Sequence, residues 1–355
     1  MVSTEYLAGF IDGEGYLALG RILRRNWSVE YPVRLVVYNT NGRILEEIQD
    51  AWGGTLSFSE SRNPRWKPQH ALIWTNAAAA RVLAEVAPYL RVKSRQAGVL
   101  LDFQNHLRGR PRIRDRRGRL LSHSKQEMKL RESLYQHLKS LNARGPRAQI
   151  PLRPVGPYKE GRRKKHSSVS AKYLAGFMDG EGSLMIVKRK GRGSWKAQYR
   201  ARISISNTDR VVLEDIQDVF GGIIADQPPA RAGWKQAYQL VWSGGMVERL
   251  LSKAARHLRL KQRQAAVMED FVLHQKSTRQ PRRGPNRRFF AALPDNVVTY
   301  REGLYRQMKE LNARGLATTR AQTGTRSASR PPATRAAGTP SGLASQSSRR
   351  SHPRP

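Results

Sequence analysis

Apolar residues at Leu7, Phe10 and Ile11 stand three and four positions apart, and Ser3 lies where a helix N-cap is expected, so a helix opens the chain. The run Asp12-Gly13-Glu14-Gly15 then turns that helix sharply into a strand. Tyr16 to Arg24 and Val33 to Asn39 read as two strands, followed by a helix from Gly42 to Trp52 that a glycine pair ends. A second hairpin leads to Trp74, and helices around Asn76 to Gln104, broken near Pro88, and Lys125 to Asn142 close the unit. The same order then recurs, with Ser170 as N-cap, strands Ser183 to Lys190 and Tyr199 to Asn207, a helix Arg210 to Phe220 and a hairpin reaching Trp242. From Arg200 to Ser206 polar residues alternate with small or apolar ones, the period of a sheet with one face packed and one wet.

The repetition extends to the residues themselves. YLAGFIDGEG at Tyr6 to Gly15 returns as YLAGFMDGEG at Tyr173 to Gly182, 167 residues on. EEIQDAWGG from Glu46 answers EDIQDVFGG from Glu214, and LRVKSRQA from Leu90 answers LRLKQRQA from Leu258, both at 168. LYQHLKSLNARG from Leu134 answers LYRQMKELNARG from Leu304 at 170. Matched blocks in one order with a small drift describe two copies of one domain with short loop insertions. Copy one occupies residues 1–145 and copy two residues 170–315, joined by a basic linker at 146–169 and followed by a tail at 316–355. Each copy is expected to be an α+β unit of order αββαββα, its helices stacked on one face of a four-stranded antiparallel sheet and the other face left for a ligand.

Composition says what that ligand is. Among 355 residues, 65 are Lys or Arg and 27 are Asp or Glu, a formal charge of +38 that disfavours a compact state unless a polyanion neutralises it. Nucleic acid is therefore the expected partner. No apolar run approaches the ~20 residues of a membrane span, no basic amphipathic helix suggests a membrane surface, and no basic leader precedes the first helix. With no cysteine, disulfides, cysteine-based zinc sites and thiol catalysis are excluded. The linker carries four prolines and the run Arg162-Arg163-Lys164-Lys165, while the tail holds seven arginines and no acid and is expected to be disordered. Loops Arg108 to Arg119 and Lys276 to Arg288 read as clamps on a phosphate backbone.

The repeated helix also carries small residues, Ala8 and Gly9 or Ala175 and Gly176, off its apolar stripe. Such a face lets two helix backbones approach, and the natural partner is the other copy's helix. That packing would bring Glu14 and Glu181 together near a pseudo-twofold axis. Two adjacent carboxylates repel when both are ionised, and a divalent cation with a preference for oxygen, Mg²⁺ or Mn²⁺ as its substitute, relieves the clash. A lone Asp-Gly-Glu-Gly reads as a solvated acidic turn. Acids duplicated at one symmetric place on a +38 chain point to metal-assisted phosphodiester hydrolysis. Asp12 and Asp179, one turn earlier, are expected to cap or to hydrogen-bond across the helix pair.

Leu7 to Gly15 and Leu174 to Gly182 match, position by position, the nine-residue signature of the LAGLIDADG homing endonucleases, and the chain resembles the single-chain, two-motif members over residues 3–315. The resemblance implies a pseudo-dimeric monomer whose two sheets form a saddle on double-stranded DNA and cut a long asymmetric target with divalent metal. It implies Glu14 and Glu181 as metal ligands, helped by the carbonyls of Gly13 and Gly180. Lys93 and Lys261 match the family's lysine near the scissile phosphates, and Asn39 and Asn207 its water-orienting polar residue. Strand positions Arg34, Arg189, Arg200 and Arg202, with Arg62, Lys67, Lys235 and Gln239 on the second hairpins, match its DNA-reading positions. The alternatives are an RNA-splicing maturase whose partner is group I intron RNA, and a DNA-binding protein without catalysis. Intron homing implies an intracellular setting, either an organelle (chloroplast or mitochondrion) or a prokaryotic cytoplasm.

Overall fold

The computed structural model describes residues 1–24, 29–60, 63, 67–109, 116–117, 123–143, 168–189, 197–228, 235–278 and 294–313. The expectations for the tail, for Arg62, for most of both basic loops and for all but the last two residues of the linker lie outside that set. Copy one runs α1 (Thr4–Glu14), β1 (Gly15–Leu19), β2 (Ile22–Leu23), β3 (Val29–Glu30), β4 (Val33–Asn39), α2 (Gly42–Trp52), β5 (Thr55–Ser59), β6 (Gln69–Thr75), α3 (Asn76–Val86), α4 (Ser94–Arg108) and α5 (Lys125–Leu141). Copy two runs α6 (Ala171–Glu181), β7 (Gly182–Arg189), β8 (Gln198–Asn207), α7 (Arg210–Phe220), β9 (Ile223–Gln227), β10 (Ala237–Ser243), α8 (Gly245–Ala254), a 3₁₀ turn at Ala255–His257, α9 (Gln262–Ser277) and α10 (Asp295–Leu311). Each copy thus has the expected αββαββα order, extended by two further helices.

The main sheets are four-stranded and antiparallel, ordered β1-β4-β6-β5 and β7-β8-β10-β9. Strand parity sorts their faces. Leu17, Leu35, Val37, Leu72 and Trp74 in copy one, and Leu184, Ile203, Ile205, Leu240 and Trp242 in copy two, are buried in a core shared with the helices. Of the alternate positions, Tyr16, Arg34 and Tyr38 in copy one and Arg189 and Arg200 in copy two are exposed, while Ala18, Val36 and Ser204 are buried. The two tryptophans explain the glycine pairs. Trp74 Nε1 donates to the Trp52 carbonyl at 3.2 Å and Trp242 Nε1 to that of Phe220 at 3.1 Å. Gly54 and Gly222, at φ +105° and +106°, pass so close that a methyl would lie 2.9 and 3.0 Å from those indole nitrogens.

One expectation fails in copy one. The strand read as Tyr16 to Arg24 stops at Leu19, and a separate two-residue ladder of Ile22–Leu23 with Val29–Glu30 follows. Proline lacks the N–H that would continue the ladder, and Gly20 instead donates to the Pro32 carbonyl at 2.7 Å. At the matching place in copy two, Arg200 pairs with Val187 and the strands run on to Arg189 and Gln198.

A second correction concerns glycine in the motif. The sequence predicts Gly15 and Gly182 as turn formers, yet both are extended, at φ −80° and −78°. Their lack of a side chain serves proximity: a methyl at either would lie 2.5 Å from the carbonyl oxygen of Ile11 or Met178.

Candidate active site

Everything at the centre of the molecule hangs on α1 and α6. Ser3 and Ser170 cap them, accepting from the N–H of Tyr6 at 3.3 Å and of Tyr173 at 3.1 Å. Both helices are buried from the tyrosine to the aspartate because each is covered by its own sheet on one side and by the other helix on the opposite side. Backbone contact is closest at Gly9 and Gly176, where a methyl would fall 2.1 Å from the Tyr173 oxygen and 2.0 Å from that of Tyr6. One turn on, a methyl at Gly13 would be 3.2 Å from Gly180 Cα and 3.5 Å from Glu181 Cγ. The touching stripe is therefore Gly9 and Gly13, four residues apart, rather than Ala8 and Gly9 alone.

Asp12 and Asp179 bind the copies together, in line with the expectation of a structural role. The Tyr173 hydroxyl donates to Asp12 at 2.7 Å, and the Tyr6 hydroxyl donates to Asp179 at 2.6 Å. Burial, then the charge and acceptance of the facing aspartate, push both phenols well above the ordinary tyrosine range. The same carboxylates accept backbone N–H groups from their own copy: Arg91, Val92 and Lys93 at 2.7 to 3.2 Å for Asp12, and Arg259, Leu260 and Lys261 at 2.7 to 3.1 Å for Asp179. Each aspartate thereby pins the segment that carries its lysine against the end of its motif helix.

Two arginines in those segments complete the joint. Arg91 donates to Asp215 and Arg259 to Glu47, each at 2.7 Å, and each guanidinium lies over the tyrosine of the opposite motif at 5.5 or 5.4 Å. Tyr6, Tyr173, Arg91, Arg259, Glu47 and Asp215 were not singled out from sequence. Their signal was present, since all six lie inside the matched blocks.

Glu14 and Glu181 are the last residues of their helices, on either side of the Gly13 and Gly180 contact. Burial, then the charge of Glu181, pushes Glu14 up to about 7 against the opposing pull of Lys261 and Lys93. Glu181 is raised too, by burial, with both lysines opposing. The lysine ammonium groups are turned inward: Lys93 Nζ donates to the carbonyl of Ile11 at 2.9 Å and to that of Asp12, and Lys261 Nζ to that of Met178 at 2.8 Å and to that of Asp179. Cations there complement the negative ends of both helix dipoles. Burial pulls Lys261 down, opposed by Asp179, Glu14 and Glu181. The four predicted charges, two acids and two lysines, thus meet in one place.

Asn39 and Asn207 do not join them. Each ends its strand on the helix-covered parity and accepts, at 2.8 Å, from the backbone N–H two residues on, Asn41 or Asp209, forming the turn into α2 or α7. No hydrogen bond links either to the acids. The predicted strand residues are grouped elsewhere, on the open faces. Arg34, Arg189 and Arg200 are exposed there, and Arg202 donates to Gln239 at 2.7 Å across neighbouring strands. Lys67 is half-buried ahead of β6, and Lys235, ahead of β10, donates to the Ala143 carbonyl at 3.2 Å.

Residues 174–234 match the family model described as LAGLIDADG endonuclease, and the first motif repeats what that match begins with. That match covers the first part of copy two. Among solved structures it is similar to the LAGLIDADG homing endonuclease I-GzeII in complex with its DNA target, at 14% identity and a TM-score of 0.64, covering 88% of this chain and 100% of that one. It is also similar to I-SmaMI bound to cleaved DNA, at 15% identity and TM-score 0.60 over 88% and 99% of the two chains. I-LtrWI bound to target DNA follows at 10% identity and TM-score 0.59, over 86% and 96%. At such identities the likeness is one of fold. No sequence among the curated proteins matches the chain. Among the described residues, no helix is long and apolar enough to cross a membrane.

Proposed function

We propose that the chain is a site-specific endonuclease that hydrolyses both strands of a long, asymmetric DNA target with a divalent cation shared by Glu14 and Glu181. The observation that carries this reading is the pair of carboxylates held together on touching helix ends, with their pKa values raised, in a chain of charge +38. Their donor chemistry fits a hard cation. Two carboxylates, with the neighbouring carbonyls of Gly13 and Gly180, offer only oxygen, and a divalent ion offsets the cost of ionising both carboxylates in a buried place. Bound there, Mg²⁺ or Mn²⁺ would supply Lewis acidity toward a phosphodiester and lower the pKa of attacking water.

The chain's own residues do the rest. Asp12 and Asp179 fix the positions of Lys93 and Lys261, whose ammonium charge lies close enough to both glutamates to favour their ionised forms. The same charge offsets negative charge gathering on a phosphate during attack. Arg34, Arg189, Arg200, Arg202 and Gln239 on the open sheet faces meet base edges or backbone phosphates, with Lys67 and Lys235 at the hairpin margins. Asn39 and Asn207 serve the turns that lead into α2 and α7. The known structures with DNA are of similar fold, and one of them, I-SmaMI, was solved on uncleaved target with calcium ions. Selection of cleaved sites from a randomised duplex library in Mg²⁺ tests the reading. Recovery of one long asymmetric site is expected, and absence of cleavage of any duplex would refute it.

A further inference from the structure

The closing helices of the two copies carry the same pair, a half-buried histidine and a buried arginine, and only one pair has a carboxylate. In copy one, Glu127 accepts from Arg131 Nε at 2.7 Å and meets His106 Nε2 at 2.9 Å. Burial alone would raise Glu127, but hydrogen bonds from Arg131 and then His106 bring it below the usual carboxylate range. In copy two the same places hold His274, Arg301 and, instead of the glutamate, Val297. Arg301 is only 7% exposed; its Nη2 donates to Thr278 Oγ1 at 2.9 Å, while its Nε and the Nδ1 of His274 have no hydrogen-bond partner. Asp270, whose charge reaches His274, accepts from the Tyr300 hydroxyl at 3.0 Å. Nor does the following stretch offer a substitute, since residues 279–293 contain no Asp or Glu.

A buried guanidinium keeps its proton, and an uncompensated charge out of water is costly. We propose that Arg301 and His274 bind a small oxyanion of the phosphate class, which takes the place that the Glu127 carboxylate fills in copy one, while Thr278, donating to the His274 carbonyl and accepting from Arg301, holds the two side by side. A guanidinium edge matches such an anion in charge and in hydrogen-bond geometry. Val297 offers the pair no acceptor where Glu127 offers one in copy one. The inference does not depend on the nuclease reading.

Thermal unfolding of the full chain in chloride and in inorganic phosphate at equal ionic strength tests it. Phosphate is expected to raise the wild-type midpoint by roughly 2–4 °C. Val297→Glu, which supplies the carboxylate from within the chain, loses that increment and is already more stable in chloride. Arg301→Met also loses it, without adding an acid. Glu127→Val, by removing the acid of copy one, gains a second phosphate response. A wild-type midpoint indifferent to phosphate, or an increment unchanged in Val297→Glu and Arg301→Met, would overturn the proposal and mark general anion binding by a basic surface. Duplex binding in phosphate-free buffer separates the sources of the anion. If a DNA phosphate enters the site, Val297→Glu lowers the slope of log affinity against log salt by about one. If free phosphate is the ligand, the slope stays and only the thermal increment is lost.

Discussion

Copy one and copy two agree at the motif helices and differ on their outer parts. At the centre every interaction is reciprocal: tyrosine to opposite aspartate, arginine to opposite acid, lysine to its own helix end. Farther out, β1 stops at Leu19 where β7 runs to Arg189, and Glu127 has become Val297. Among the described residues, the open face of the first main sheet presents Arg34, and that of the second presents Arg189, Arg200 and Arg202. A residue at the joint serves both copies, so a change in one must suit the other. A residue on an open sheet face answers only to what that face meets. The difference suits the proposed function, an asymmetric target cut at a symmetric centre.

The largest expected effect on stability comes from filling the joint. Gly9→Ala or Gly176→Ala puts a methyl about 2 Å from a backbone oxygen of the other helix, and a loss of roughly 3 kcal/mol or more in denaturant unfolding is expected. Gly98→Ala in α4, where a methyl meets nothing within 4 Å, should instead gain about 0.5–1 kcal/mol. Equal costs at Gly9 and Gly98 would remove close approach as the reason for the motif glycines.

The next effect would show where the reciprocity is uneven. Arg91 is nearly enclosed and faces a partly buried Asp215, whereas Arg259 and Glu47 are both more open. Arg91→Ala should therefore cost roughly 3 kcal/mol and Arg259→Ala about 1 kcal/mol. On the open faces, Arg200→Ala and Arg202→Ala are each expected to weaken binding of the selected duplex roughly tenfold, by gel shift at fixed salt. Lys235→Ala, whose ammonium already rests on Ala143, should change it little.

The smallest effect is one of pH. Glu14 titrates near 7 when folded, above its ordinary 4.5. The protonated form is favoured by folding, so this contribution to stability is complete below about 4.5 and is lost as pH rises through about 7. In metal-free buffer, the unfolding midpoint should fall over that window, and Glu14→Gln should flatten the fall. A profile identical in wild type and variant would mean that neither burial nor the charge of Glu181 raises Glu14.

Much of this was legible in the sequence because duplication makes a pattern check itself. The bounds of α2 and α7, the N-caps at Ser3 and Ser170, and the meeting of Glu14 with Glu181 all followed from residues that recur at one spacing. The break after Leu19 was missed because strand alternation says nothing of which N–H groups the partner strand supplies, and Pro32 withholds one. The inward turn of Lys93 and Lys261 was missed for a related reason. A lysine before a helix looks solvated until the aspartate that accepts three N–H groups from its segment is placed. Asn39 and Asn207 were chosen by position in a family pattern, while their short side chains are held locally, by turn N–H groups two residues away.

Central to the account is that two motifs form one centre rather than two. A supercoiled plasmid carrying the selected site, treated with Mg²⁺ and wild type, Glu14→Gln or Glu181→Gln, tests this most directly. Wild type should give linear product, and either variant should leave the plasmid supercoiled, with both strand cuts slowed roughly a thousandfold or more and duplex binding retained. Accumulation of nicked circle by either variant would mean that each glutamate serves one strand alone, and would contradict a shared centre.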